Sequence, residues 1–261
     1  PSLVGKDTYR RVLAAPLSPA LVDVLEKLDR ALGPSHRTPE ALGSARATRL
    51  DAKTGMGKSF AAMSERLGLE GAQLTRVDDL AEPFRVLLDE SVHVVVRSEL
   101  LVSMSPGEFP ALFALGMELG RPGLRLLSHG SQEERLRWAN ALLVSAGIIE
   151  DVGTDPLVGD INECLGLEGR EVLAGAGLPT DAESLVQKLG EAAVETARRV
   201  CFLVTGELRM VTRLLTRLDE TLPKMPSAGK LEDLSEFYAS APALRSRAAF
   251  VLTPTCAAMF E

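Results

Sequence analysis

Ser105-Pro106-Gly107-Glu108-Phe109-Pro110-Ala111-Leu112-Phe113-Ala114-Leu115-Gly116-Met117-Glu118-Leu119-Gly120-Arg121 is the stretch whose reading decides the fold of this chain. Its beginning is written as a helix start. Ser105 is a good N-cap, Pro106 suits the first helical position, and Glu108 completes a capping box. Phe109, Leu112, Phe113, Gly116, Met117 and Gly120 recur at helical spacing and predict one apolar stripe, which Pro122 ends. Upstream, the run Val92-His93-Val94-Val95-Val96 predicts a strand. With Phe84 to Leu88 and the intervening Asp89-Glu90 it reads as a β-hairpin, and these two strands are the ones the pattern specifies.

The order of the parts is a strand, the paired leucines Leu100-Leu101, a Ser-Pro-x-Glu helix start, and a helix ending Met117-Glu118-Leu119-Gly120-Arg121. It resembles the HtpX-like and CAAX-prenyl-protease-like zinc peptidases, in which the last pentad is His-Glu-Leu-Gly-His. That motif needs two neutral imidazoles at i and i+4, on one helical face, to grip a zinc ion, with the Glu polarising a bound water. On this alignment Met117 and Arg121 stand at the two ligand positions and Glu118 at the general base. A thioether is a poor zinc ligand, and a guanidinium keeps its charge and repels a cation. Glu118 without a Lewis acid has no acidified water to work on.

The same family takes a third ligand, a Glu, from a later helix in a Glu-x-x-x-Asp arrangement followed by Arg. Setting Ala197-Arg198-Arg199 on the family's Ala-Asp-Arg places Val194 at the ligand and Arg198 at the aspartate. Glu195 lies one residue out of register and Glu191 about a turn earlier. The resemblance spans roughly residues 84–210 and is densest over 92–121. It implies a predominantly helical α+β fold, a zincin-like helical core with a small antiparallel β-hairpin or sheet. Met117, Glu118, Arg121 and Val194 become vestigial positions, with no metal, no cofactor and no catalysis. A protein-interaction or scaffold role then follows, with a protein partner, in which the former cleft or the hairpin edge holds a peptide. The plain reading of the same residues is a buried core helix whose Glu118 is salt-bridged or exposed.

A rival motif lies earlier. Ala52-Lys53-Thr54-Gly55-Met56-Gly57-Lys58-Ser59 satisfies a loose phosphate-loop pattern, and Val86-Leu87-Leu88-Asp89-Glu90 resembles an apolar strand ending in acids able to hold Mg²⁺. This alternative makes the chain a nucleotide-binding protein using Gly57, Lys58, Ser59 and Asp89. A working loop follows a buried, apolar parallel strand, so that backbone N–H groups and the helix N-terminus cradle the phosphates. Ala45 to Asp51 is too polar for that strand, and the chain lacks the alternating strands and helices of a doubly wound sheet. The plain reading is a Gly-containing turn feeding a short helix.

Composition sets the outer limits. With 261 residues, 46% hydrophobic and only 4% aromatic, the chain has an aliphatic core suited to packed helices. A net charge of −7 with intermixed signs argues against nucleic acid and anionic lipid as partners. No run is long enough to span a bilayer, which points to a soluble, cytoplasmic protein. Cys164, Cys201 and Cys256 form no Cys-x-x-Cys pair and read as buried thiols of a reducing compartment. The spacing of His36, His93 and His129 suggests no metal site.

One domain is expected over 1–261, beginning at Pro1 as a piece cut from a longer protein. It divides into an N-terminal helical part (1–83), a peptidase-like core (84–222) and C-terminal helices (223–261). Helices are predicted at Pro19 to Leu32, ended by Gly33-Pro34, and at Ser59 to Leu67, Gln132 to Ala146, Asp155 to Leu165 and Gly169 to Ala176. A long helical stretch from Thr180 to Leu222 is interrupted near Thr205-Gly206, and shorter helices follow near Lys230 to Tyr238 and Leu244 to Leu252. Ser35 to Thr54 reads as an irregular connection.

Overall fold

A computed structural model describes residues 6–36, 47–88, 91–151, 153, 155–219, 222 and 250. The chain is mostly helical around a small sheet, in the order α1 (Lys6–Val12), α2 (Pro19–His36), β1 (Ala47–Arg49), α3 (Gly55–Arg66), β2 (Gln73–Val77), β3 (Phe84–Leu88), β4 (Val92–Arg97), α4 (Ser98–Ser103), α5 (Phe109–Leu119), α6 (Arg125–Ser128), α7 (Gln132–Ser145), α8 (Pro156–Gly175), α9 (Ala182–Thr205) and α10 (Leu208–Leu218). Among the described residues no helix is long and apolar enough to cross a membrane.

The strands lie in the order β1-β2-β4-β3. β3 and β4 form the expected antiparallel hairpin, with Val86 opposite Val94. The sheet is mixed, however, and not purely antiparallel. β2 joins β4 in parallel, Gln73 to His93 through Val77 to Arg97, and β1 pairs antiparallel with β2 at the edge. Five consecutive buried residues, Val92 to Val96, mark β4 as a central strand covered on both faces. Val92, Val94 and Val96 face the main core, while Val95 packs with Val77 and Leu87 on the other side.

α5 lies against the core face of the sheet, and two glycines permit the approach. A Cβ added at Gly116 would meet Val94 Cγ1 at 2.8 Å, and one at Gly120 would meet Val92 Cγ1 at 2.6 Å and Val86 Cγ1 at 2.8 Å. The long helix α9 covers α5 from the other side, its most extensive partner. Ala111 through Glu118 are therefore all buried, so the helix is enclosed all round and wider than the single stripe its spacing predicts. The expected capping box is half made: the Glu108 carboxylate accepts from Ser105 N–H at 2.7 Å and from its hydroxyl at 2.8 Å, and the helix proper begins at Phe109.

Three boundaries differ from expectation. α2 runs through Gly33-Pro34 to His36, whose ring meets Asp160 at 2.7 Å and lies edge-on to Trp138, so tertiary contacts hold the final turn. α3 begins at Gly55 because Thr54, not Ser59, caps it. The two short helices expected after Asp155 form one element, α8, bent at Gly166, whose φ of 65° only glycine adopts easily. The interruption at Gly206 is present as a left-handed cap between α9 and α10. The helices expected near 230–238 and 244–252, and Cys256, lie outside the described residues apart from Phe250. Cys164 is half-buried and Cys201 buried.

Candidate functional site

The end of α5 brings together the residues that matter. Met117 is fully buried among aliphatic neighbours, and Glu118, also at 0% exposure, is a carboxylate inside the core. One turn on, Arg121 closes back on it: Nε donates to Glu118 Oε2 at 2.8 Å and Nη2 donates to Oε1, a bidentate pair. The second Nη2 hydrogen reaches the carbonyl of Leu67, just past α3, at 2.9 Å. The guanidinium carbon sits 4.7 Å from the ring centroid of Tyr9 on α1, a cation–π contact.

The electrostatics follow from that enclosure. Burial opposes the charge of Arg121, yet the charge and hydrogen bonding of Glu118 outweigh it and hold the guanidinium protonated more firmly than usual. Burial also pushes the Tyr9 phenol well above its ordinary range, reinforced by the Glu118 charge and partly offset by Arg121. A second buried pair stands next to the first. Asp29 on α2 accepts from Arg125 Nε at 2.8 Å and from Gly123 N–H at 3.0 Å, pinning the turn after α5 to α2.

α9 is the helix most extensively packed on α5, and Cys201 Sγ donates to the Ala111 carbonyl at 3.2 Å. Val194 is half-buried and Ala197 fully buried on α9, and Thr196 accepts from Ala14 N–H at 3.2 Å. Glu195 ion-pairs with Arg199 at 3.4 Å along its own helix.

The residues present do not fit zinc. Both Glu118 oxygens are taken by a cation, the second ligand position is that cation, and the first is a sealed thioether. Held by Arg121 and fully buried, Glu118 is shut off from the water it would activate, so it does not serve as a general base in this arrangement.

The phosphate-loop residues occupy another surface. Gly57 N–H donates to Thr54 Oγ1 at 3.0 Å, and the Gly57 backbone presses on Asp51, whose carbonyl oxygen would be 2.1 Å from an added Cβ. The strand before it is β1, three exposed residues at the antiparallel edge of the sheet, whereas a cradle follows a buried parallel strand. Lys58 is exposed, Ser59 half-buried, and Asp89 lies outside the described residues. A cavity of about 530 Å³ opens nearby between α3 and β2, lined by Asp51, Glu65 and Glu70 against the single cation Arg49 among the described residues, a net negative charge that disfavours a phosphate.

Tyr9, Leu67 and Asp29 were not legible as site residues. Each reaches α5 or its following turn from a distant part of the chain, through contacts that leave no local pattern. No family model, no curated protein and no solved structure matches the chain.

Proposed function

We propose that the chain is a non-catalytic module, a zincin-like core in which a guanidinium has taken the place of the metal, and that it works by binding a protein partner. The observation that carries this reading is the bidentate, buried Glu118–Arg121 pair. Arg121 stands where the second zinc ligand belongs and neutralises the carboxylate that zinc chemistry would have used. The packing of α5 between the sheet and α9 supports the same plan. A scaffold needs that shape and not the metal, and the intermixed surface charge favours a protein over nucleic acid as partner.

The test is metal content together with a designed restoration. Dialysed against zinc and then against buffer, the native chain is expected to retain no stoichiometric metal and to leave unstructured peptide substrates uncut. The triple variant Met117→His, Arg121→His, Val194→Glu is expected to take up about one zinc ion per chain. One zinc in the native chain, or peptide cleavage abolished by Glu118→Gln, overturns the reading. A folded triple variant that stays metal-free shows that Val194 is not the third position.

A further inference from the structure

A cavity of about 310 Å³ opens beside the Arg121–Tyr9 stack, between α1, α2 and the end of α3. Its walls are apolar at Leu13, Val22 and Leu69, and its charged lining is of both signs, Asp23 and Glu26 with Arg10, Arg30 and Arg121. Two donors are unmet among the described residues. The Tyr9 hydroxyl is buried in a side chain only 9% exposed and has no hydrogen-bond partner among them. Arg121 spends Nε and Nη2 on Glu118 and Leu67, which leaves the two N–H groups of Nη1 without an acceptor among the same residues. Asp23 and Glu26 line the same cavity. Their partners, Arg10 at 3.5 Å and Arg30 at 2.8 Å, are exposed, and ion pairs of that kind rearrange at little cost.

One space thus holds unmet donors, two carboxylates whose arginine partners are exposed and exchangeable, and aliphatic walls. A phosphate or a simple carboxylic acid meets the donors but also the acids. An amine meets the acids and leaves the donors idle. We propose that this cavity binds an apolar amino-acid-type ligand, either a free amino acid or the first residue of a peptide. Its side chain lies against Leu13, Val22 and Leu69, its ammonium faces Asp23 and Glu26, and its carbonyl or carboxylate oxygen accepts from Arg121 Nη1 and the Tyr9 hydroxyl. The volume holds one residue of leucine size with room for the next peptide unit. Glu26, Tyr9 and Arg121 all line this one space.

The experiment is a titration of the full chain, by calorimetry or amide NMR, with L-leucine, L-leucinamide and N-acetyl-L-leucinamide. Saturable binding of the first or second is expected at about 1 mM, ordinary for so small a ligand. The acetylated compound, which lacks the ammonium, is expected to bind at least about tenfold more weakly, and Tyr9→Phe to weaken binding by about three- to tenfold. Tighter binding of leucine identifies a free amino acid, and tighter binding of leucinamide a peptide end. Val22→Trp, which fills the cavity, should abolish the signal. Should that variant not fold, Glu26→Gln at a half-exposed position carries the same test through loss of the ammonium contact.

Absence of saturable binding up to roughly 10 mM overturns the proposal. Equal binding of the acetylated compound, or unchanged binding by folded Val22→Trp or by Glu26→Gln, overturns it too. The proposal goes beyond the loss of metal chemistry and fails separately from it. An empty titration leaves the zinc-free reading standing, and zinc in the native chain ends that reading without deciding the titration.

Discussion

Replacing Arg121 by Met tests whether the guanidinium stands in for a metal inside the core. Glu118 is 0% exposed, the Arg121 side chain 16%, and the pair is bidentate. Removing one partner of a buried pair leaves an uncompensated charge, a loss of about 3–5 kcal/mol, because desolvation of the survivor is no longer offset. Arg121→Met is placed in that range. Glu118→Leu is expected to cost less, about 2 kcal/mol, since Arg121 keeps the Leu67 carbonyl and the Tyr9 ring and borders the cavity where water reaches it. The double variant Glu118→Leu, Arg121→Met replaces the pair by apolar groups of similar size. It is expected within about 1 kcal/mol of the native chain, so the two single losses fail to add by several kcal/mol.

The assay is urea unfolding at neutral pH, followed by far-ultraviolet circular dichroism and by the fluorescence of the single, buried Trp138. For a chain of this size the Arg121→Met loss corresponds to a fall in Tm of roughly 6–20 °C. Single variants that each cost less than about 1 kcal/mol would refute the reasoning, since the pair would then be hydrated and not part of the core. A double variant as unstable as Arg121→Met alone would refute it differently, by showing that the ions are needed for packing and not for each other.

Three further outcomes are expected. Gly116→Ala pushes a methyl to within 2.8 Å of Val94 Cγ1 and should lower stability by about 1–3 kcal/mol in the same urea assay, with Val94→Ala restoring part of it. Arg137 donates to both oxygens of Asp155 at 2.8 Å and holds that carboxyl below its ordinary range, helped by Leu157 N–H. A folded value below the unfolded one gives stability that is present above about pH 4 and lost as pH falls through the folded value. Arg137→Gln should flatten that acid loss by about 0.5–1 kcal/mol, read from unfolding midpoints between pH 2 and 6. Mg-ATP or Mg-GTP at about 5 mM should leave the melting temperature unchanged, and a rise that Lys58→Ala removes would restore the phosphate-loop reading.

Elements that carry their own signal were legible in the sequence. Val92 to Val96 is apolar at every position, which a strand covered on both faces requires, and Pro122 and Gly206 end helices by local backbone chemistry. β2 was not legible. Gln73-Leu74-Thr75-Arg76-Val77 is too polar to stand out, and it is a strand because β4 offers a parallel partner. The placement of α2's last turn was equally a tertiary matter, decided by His36 against Asp160 and Trp138. At the candidate site, the resemblance singled out Met117, Glu118 and Arg121, the plain reading allowed a buried helix with a salt-bridged Glu118, and Arg121 as the partner was not named. A carboxylate one turn from an arginine on an exposed helix face contributes only a few tenths of a kcal/mol.

Enclosure turns that weak pair into the constraint on the whole site. α5 is pressed on one side by valines that tolerate only glycine at 116 and 120, and on the other by α9. A lone carboxylate at 118 in such a place requires a partner cation, and two kinds satisfy it: a divalent ion held by neighbouring side chains, or a guanidinium brought by the helix itself. The second is the one present, and it needs no donor from α9. It also fixes the orientation of Arg121 so that Nη1 is turned away from Glu118. The neutralised carboxylate at 118 and the Nη1 donors beside the cavity then both rest on Arg121, and Arg121→Lys separates them. An ammonium is a point charge without a fork, so it should keep most of the stability conferred by charge while forfeiting the bidentate geometry and the directed Nη1 donors.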